Sequence, residues 1–145
     1  MESKKIAVRY QSRGGNTKAV AEVIAKAVGV EAQTIDVPVT EPVDLLFIGG
    51  GVYAWDIDKA LKAYLQNLTP ETVQSVAAFS TAGGMNGTDK ITAIVREKGI
   101  SVCEETLPVK VLLRNHASLG GKGHITLTEK HLQSIDHFVK RIVKQ

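Results

Sequence analysis

Short runs of aliphatic and β-branched residues alternate with stretches of helical periodicity along the whole chain, and no repeat or low-complexity tract separates them. Ile6-Ala7-Val8 with Tyr10 predicts a first strand. Val20, Val23, Ile24, Ala27 and Val28 fall at helical spacing and predict a helix that Gly29 stops. Val30 to Val37 predicts a second, more polar strand of the sheet-edge kind, closed by Pro38 and Pro42. Val43 to Ile48, interrupted only by Asp44, is apolar at successive positions, which predicts a third strand buried on both faces in the middle of a parallel sheet. A helix bearing Leu61, Tyr64, Leu65 and Leu68 must end before Pro70. Ser75 to Thr81 predicts a fourth strand, and Ile91, Ile94 and Val95 a helix stopped at Gly99. Val102 to Leu113 is a fifth extended stretch broken by Pro108. The last helix takes Thr128 as its N-cap and buries Leu132, Ile135, Phe138, Val139 and Ile142.

Five strands alternating with four helices, joined by right-handed crossovers, predict a doubly wound three-layer α/β sandwich over residues 1–145 as a single domain. Its ligand crevice lies at the carboxyl ends of the strands. With 145 residues, 43% of them hydrophobic, the chain can bury a core without staples. Cys103 is the only cysteine, which excludes a disulfide scaffold or a cysteine cluster and suits a reducing, cytoplasmic compartment. No apolar run reaches membrane length. The 18 Lys+Arg against 15 Asp+Glu give +3, yet no basic run exceeds two residues and aromatics do not interleave with them, which argues against nucleic acid.

Three loops are therefore expected to converge, at 11–17, 49–56 and 81–88. The first reads Tyr10-Gln-Ser12-Arg13-Gly14-Gly15-Asn16-Thr17-Lys18 and opens a helix directly. A phosphate there would meet backbone N–H groups and the positive end of the helix dipole, with the Ser12 and Thr17 hydroxyls as further donors. The same residues would also serve a plain tight turn with Asn16 or Thr17 as its cap. No Walker A loop is present, and no Gly-x-Gly-x-x-Gly follows a strand. The second loop, Gly49-Gly50-Gly51-Val52-Tyr53-Ala54-Trp55, offers two aromatics. The third, Ser80-Thr81-Ala82-Gly83-Gly84-Met85-Asn86-Gly87, is built of small residues that let backbone N–H groups approach a ligand.

The first loop resembles the phosphate loop of the flavodoxin family, in which Thr or Ser, any residue, Thr, Gly, Asn, Thr ends the first strand with an aromatic two places earlier. Tyr10, Ser12, Gly15, Asn16 and Thr17 match that pattern, followed by Ala21 on the helix. Gly14 replaces the inner hydroxyl, and Arg13 beside it could supply a charged contact instead or stand solvated. The second loop is similar to the family's aromatic loop, whose ring four residues after the first glycine lies against the flavin; that count reaches Tyr53, with Trp55 a second candidate. The third loop resembles the segment at the flavin's other edge, without its usual aromatic. The resemblance implies a flavodoxin-like α/β three-layer sandwich with a five-stranded parallel sheet of order 2-1-3-4-5. It also implies one non-covalently bound FMN held by Ser12, Arg13, Gly14, Gly15, Asn16, Thr17, Gly50, Gly51, Val52, Tyr53, Ala54, Trp55, Thr81, Ala82, Gly83 and Gly84.

By the same resemblance the protein is a one-electron carrier that docks transiently to redox partners, a reductase and an electron acceptor, without substrate chemistry, catalytic residues or metal of its own. Two other readings stay open: a flavodoxin-type oxidoreductase acting on a quinone or porphyrinogen, and a flavin-free interaction domain. Oligomeric state is left open. A response regulator would need acidic residues after strand one and an Asp ending strand three, where this chain has Gln11-Ser12 and Ile48-Gly49. A low-molecular-weight phosphatase would need Arg six places after the cysteine, where Val109 stands. Cys103 is expected as a strand residue and the four histidines as solvated. The stretch from Arg114 to Leu127, without periodicity, is expected to lean over the flavin side or to form a docking surface.

Overall fold

The computed structural model describes residues 4–53, 55–82, 87–110 and 127–143. In chain order the elements are β1 (Ile6–Gln11), α1 (Asn16–Val28), β2 (Ala32–Thr34), β3 (Leu45–Tyr53), β4 (Asp56–Ile57), α2 (Lys59–Gln66), β5 (Ser75–Ala82), α3 (Thr88–Glu97), β6 (Ser101–Val102), β7 (Leu107–Lys110) and α4 (Glu129–Val143). The β-branched runs make a mostly parallel sheet of order β2-β1-β3-β5-β6, with β7 also pairing β5. The fifth extended stretch is therefore split. β6 pairs at Val76↔Val102 and β7 at Phe79↔Leu107, while the intervening residues leave the ladder. Cys103 lies in that gap, half-buried and outside both strands, though its N–H still donates to the Val76 carbonyl at 2.8 Å.

Two helices cover each face. On one, Val20 and Ile24 of α1 and Ile135 and Phe138 of α4 pack on Val8, Phe47 and Phe79; the Phe47 and Phe138 rings meet edge to face at 5.9 Å. On the other, Leu61 and Leu65 of α2 and Ile91 and Val95 of α3 pack on Leu46, Ile48, Val76 and Ala78. Each such aliphatic side chain withdrawn from water contributes about 1.5–3 kcal/mol, so the two layers together fix the sheet between them. Among the described residues no helix is long and apolar enough to cross a membrane.

Helix ends follow the sequence signals. Gly15 and Gly29 flank α1 in left-handed conformations, with φ of 94° and 80°. Thr128 caps α4: its Oγ accepts the His131 N–H at 3.1 Å, and His131 Nδ1 accepts the Thr128 N–H in return. Leu132 departs from expectation and is 42% exposed, since its place on α4 turns away from the sheet.

Two strands differ from the hydrophobic pattern. The second is only Ala32–Thr34, because the chain beyond it bends to meet Arg9 in the interior of β1. Arg9 is only 7% exposed and donates to the carbonyls of Val37 at 2.8 Å, Val8 at 3.1 Å and Pro38 at 3.3 Å. The third runs on past Ile48 through the glycines to Tyr53, then turns back as the antiparallel β4, with Tyr53 opposite Asp56.

Candidate functional site

The ends of β1, β3 and β5, which carry the three expected loops, lie side by side at the carboxyl end of the sheet. Gln11 pairs with Gly50, Gly50 with Ser80, and Gly51 with Thr81, so the ends of β1, β3 and β5 form one row. The triple glycine is required by what lies against it. A Cβ on Gly49 would collide with the buried Phe79 ring, one on Gly50 would stand 2.5 Å from Leu61 Cδ2, and one on Gly51 2.7 Å from the Tyr53 hydroxyl. Glycine is thus required at all three positions because the protein's own side chains already occupy the space a Cβ would take.

At the start of α1 the loop caps itself. Ser12 Oγ accepts the Gly15 N–H at 3.0 Å, and the helix has no side-chain cap on its first N–H groups. Those groups and the dipole behind them can take an external anion. Thr17 is buried, and its Oγ lies 2.8 Å from Thr81 Oγ, joining the first loop to the third. Two hydroxyls share one hydrogen bond, so the pair keeps one donor for a ligand.

Arg13, beside Gly14, is held by a partner from another loop. Its guanidinium turns to Asp58, with Nε and Nη2 donating to Oδ2 at 3.0 and 2.8 Å, and lies 4.0 Å from the centroid of the Tyr53 ring. Its backbone N–H donates to the Tyr53 hydroxyl at 3.1 Å. One aromatic is therefore clamped between two loops, with a cation on one of its faces. Burial pushes the Tyr53 hydroxyl above its ordinary value, partly offset by Arg13. Asp58 also caps α2 through Oδ1, which accepts the Ala60 N–H at 2.7 Å; that bond, helped by Arg13 and opposed by burial, holds its carboxyl low. Asp56 is held low chiefly by the Lys62 ammonium, which donates to its Oδ2.

Trp55 behaves differently from Tyr53. It sits at the tip of the β3–β4 hairpin, 79% exposed, with φ of 70°, a conformation that costs a bulky residue about 1–2 kcal/mol. Val52 packs beside the start of α3, where a Cβ on Gly87 would meet its Cγ2 at 2.8 Å. Ala82 ends β5, buried. Ala54, Gly83 and Gly84, with Met85 and Asn86, lie outside the described residues, as does all of the Arg114–Leu127 stretch except Leu127.

A family model described as a flavodoxin domain matches residues 7–112, well over half of the chain. The chain belongs to the flavodoxin family. Among solved structures it is similar to a flavodoxin from the domain Archaea, at 22% identity and TM-score 0.67, covering 97% of this chain and 99% of that one. It is also similar to two-electron reduced Megasphaera elsdenii flavodoxin, at 17% identity and TM-score 0.60, covering 93% and 98%. Rubredoxin oxygen:oxidoreductase from Desulfovibrio gigas matches at 14% identity and TM-score 0.71, with 97% of this chain covering 35% of that one. No curated protein matches.

This flavodoxin-family crevice holds three polar atoms whose needs the described residues do not meet. Gln11 Oε1, Asn16 Oδ1 and Ser80 Oγ are buried without a hydrogen-bond partner among them, one at the end of each strand or at the helix start. An unmet buried group costs about 1–3 kcal/mol, so a ligand with matching polar edges fits this row. The pattern in the sequence marks neither Gln11, Ser80 nor Asp58 as a site residue. Asp58 alone carried a readable signal, as a helix cap before Lys59-Ala60-Leu61.

Proposed function

We propose that this flavodoxin-family protein binds one FMN at the carboxyl end of the sheet and carries single electrons between protein partners, a reductase and an acceptor, in the cytoplasm. The observation that carries the reading is the convergence of a helix start without a side-chain cap, the adjoining ends of β1, β3 and β5, and three buried polar atoms that lack partners among the described residues. When bound, the flavin supplies reversible one-electron chemistry that no side chain of the chain offers.

The chain's own residues bind and orient it. The N–H groups of Gly14, Asn16 and Thr17, the Ser12 hydroxyl proton and the spare hydroxyl donor of the Thr17–Thr81 pair would hold the phosphate. Gly50, Gly51, Val52, Thr81 and Ala82 would line the ring's polar edge. Tyr53 would stack against the ring, which needs its free face or the departure of Arg13. A single phosphate cradle favours the mononucleotide over FAD, which needs a second pyrophosphate contact and room for adenosine.

The test is to release the chromophore of the purified protein with acid and separate it by reversed-phase chromatography. FMN at about one per chain is the expected result. FAD at that ratio refutes the cofactor assignment. A protein that neither carries flavin nor takes up added FMN refutes the carrier reading itself.

A further inference from the structure

Trp55 is the least explained side chain in the molecule. A bulky residue held at positive φ and left in water buries little of itself against the described residues, and such outliers point outward, to something the protein binds. Its surroundings say what. Asp56, next in the chain, is lowered in pKa by both Lys62 and Lys90, which places the two lysines around the hairpin, and Asp58 beyond it is bound by Arg13.

The charge of the whole end agrees. Parallel strands put every helix start at the crevice, and there Arg13, Lys18, Lys59, Lys62, Lys90 and Lys110 stand against Asp56, Asp58 and Asp89, an excess of three positive charges. The remaining described residues carry nine cations and eleven carboxylates, an excess of two negative charges, with Glu129 and Lys130 at the start of α4 cancelling. The positive ends of four helix dipoles add to the field at the same end. The protein is thus polarised along its strands, positive at the crevice.

We infer that Trp55 and the cationic rim about it form the docking surface for an acidic redox protein, the indole seating as the apolar anchor and the lysines steering the approach. The inference deepens the carrier function and rests on it. Steering of this kind raises association rates and falls off with salt, whereas a buried aromatic anchor sets how long the complex lasts.

The flavin-loaded protein, chemically reduced, is mixed in stopped flow with oxidised rubredoxin, an acidic one-electron acceptor, and separately with oxidised cytochrome c, a basic one. Between about 10 and 300 mM salt the rubredoxin rate constant should fall at least tenfold and the cytochrome c rate should rise. The opposite slopes overturn the inference. Trp55→Gly, which relieves the backbone, should lower the rubredoxin rate about tenfold when compared with the parent at equal flavin loading. If flavin affinity falls while that rate holds, Trp55 is a flavin contact and the docking assignment fails. Lys62→Glu with Lys90→Glu should reverse the salt dependence, and an unchanged slope counts against the rim. A flavin-free arm separates failure here from failure of the carrier reading. The single indole N–H resonance of 15N-labelled protein should shift on adding rubredoxin at low salt and return at about 300 mM. No shift overturns the docking surface whatever the flavin result.

Discussion

Asp58 offers a quantitative test of the local architecture, because one carboxylate does two jobs that two substitutions separate. Oδ1 accepts the Ala60 N–H at the start of α2, and Oδ2 accepts two N–H groups of Arg13. α2 has eight residues, too few to persist alone, yet it delivers the fully buried Leu61 and Leu65. Asp58→Ala removes a cap, at about 1 kcal/mol within a range of 0.5–2, and an ion pair whose arginine is over half exposed, at about 0.2–1 kcal/mol after screening. The sum is about 1–2 kcal/mol. Asp58→Asn keeps a cap acceptor and loses the charge, so it should cost less than about 1 kcal/mol.

Urea unfolding of the flavin-free protein reads both. Since the folded carboxyl titrates below its unfolded value, its stabilisation is complete above the ordinary aspartate pKa of about 3.9 and is lost as pH falls from there through the lower folded value. The gap between parent and Asp58→Asn should therefore narrow as pH drops below about 4. An Asn variant as unstable as the Ala variant, or an Ala variant within about 0.3 kcal/mol of the parent, would falsify the assignment of the cap to Asp58.

Calorimetry of Gly49→Ala should show a loss of about 1–3 kcal/mol or more, because the new Cβ overlaps the buried Phe79 ring, whereas Gly29→Ala, with open space around it, should lose only the 1–2 kcal/mol of its left-handed φ. Equal losses would contradict the packing. Thr17→Val and Thr81→Val should each cost about 1–3 kcal/mol in denaturant titrations by stranding the partner hydroxyl, and the double variant should cost less than their sum. Strict additivity would mean the hydroxyls do not bond. Burial raises the Cys103 thiol, so its reaction with a disulfide reagent at neutral pH should be slower than that of a cysteine peptide and should speed up with rising pH; a rate at or above the peptide's would refute it.

Periodicity located the elements well where one force decides them. Val43 to Ile48 is apolar except at Asp44, and from Leu45 it forms a buried central strand; Val20 to Val28 follows helical spacing and ends at a glycine. Misjudgements fall where tertiary contacts override the local preference. Gly49 to Gly51 looks like a loop because glycine has little strand propensity, yet it is strand, since Phe79, Leu61 and Tyr53 occupy the space of the absent side chains. Residues 35–37 look like strand, but past the Ile35 N–H, which still donates to Tyr10, the carbonyls of Val37 and Pro38 turn to Arg9 instead of a ladder. At the site, the loop positions were legible because phosphate-binding turns have a composition. What Arg13 bonds was not, as Asp58 stands 45 residues away and nothing local to residue 13 points to it.

Arg9 has a bearing on where this chain can be cut. The stretch after β2 lacks regular structure and has exposed positions such as Val37, marks of a place for new termini or an inserted peptide. Yet it supplies two of the three carbonyls that accept from the buried Arg9 guanidinium. A break between Asp36 and Pro38 would leave that charge in the interior, facing empty dipoles. The turn after α2, at Asn67 to Glu71, donates no bond to a buried ion and is the sounder position for a circular permutant.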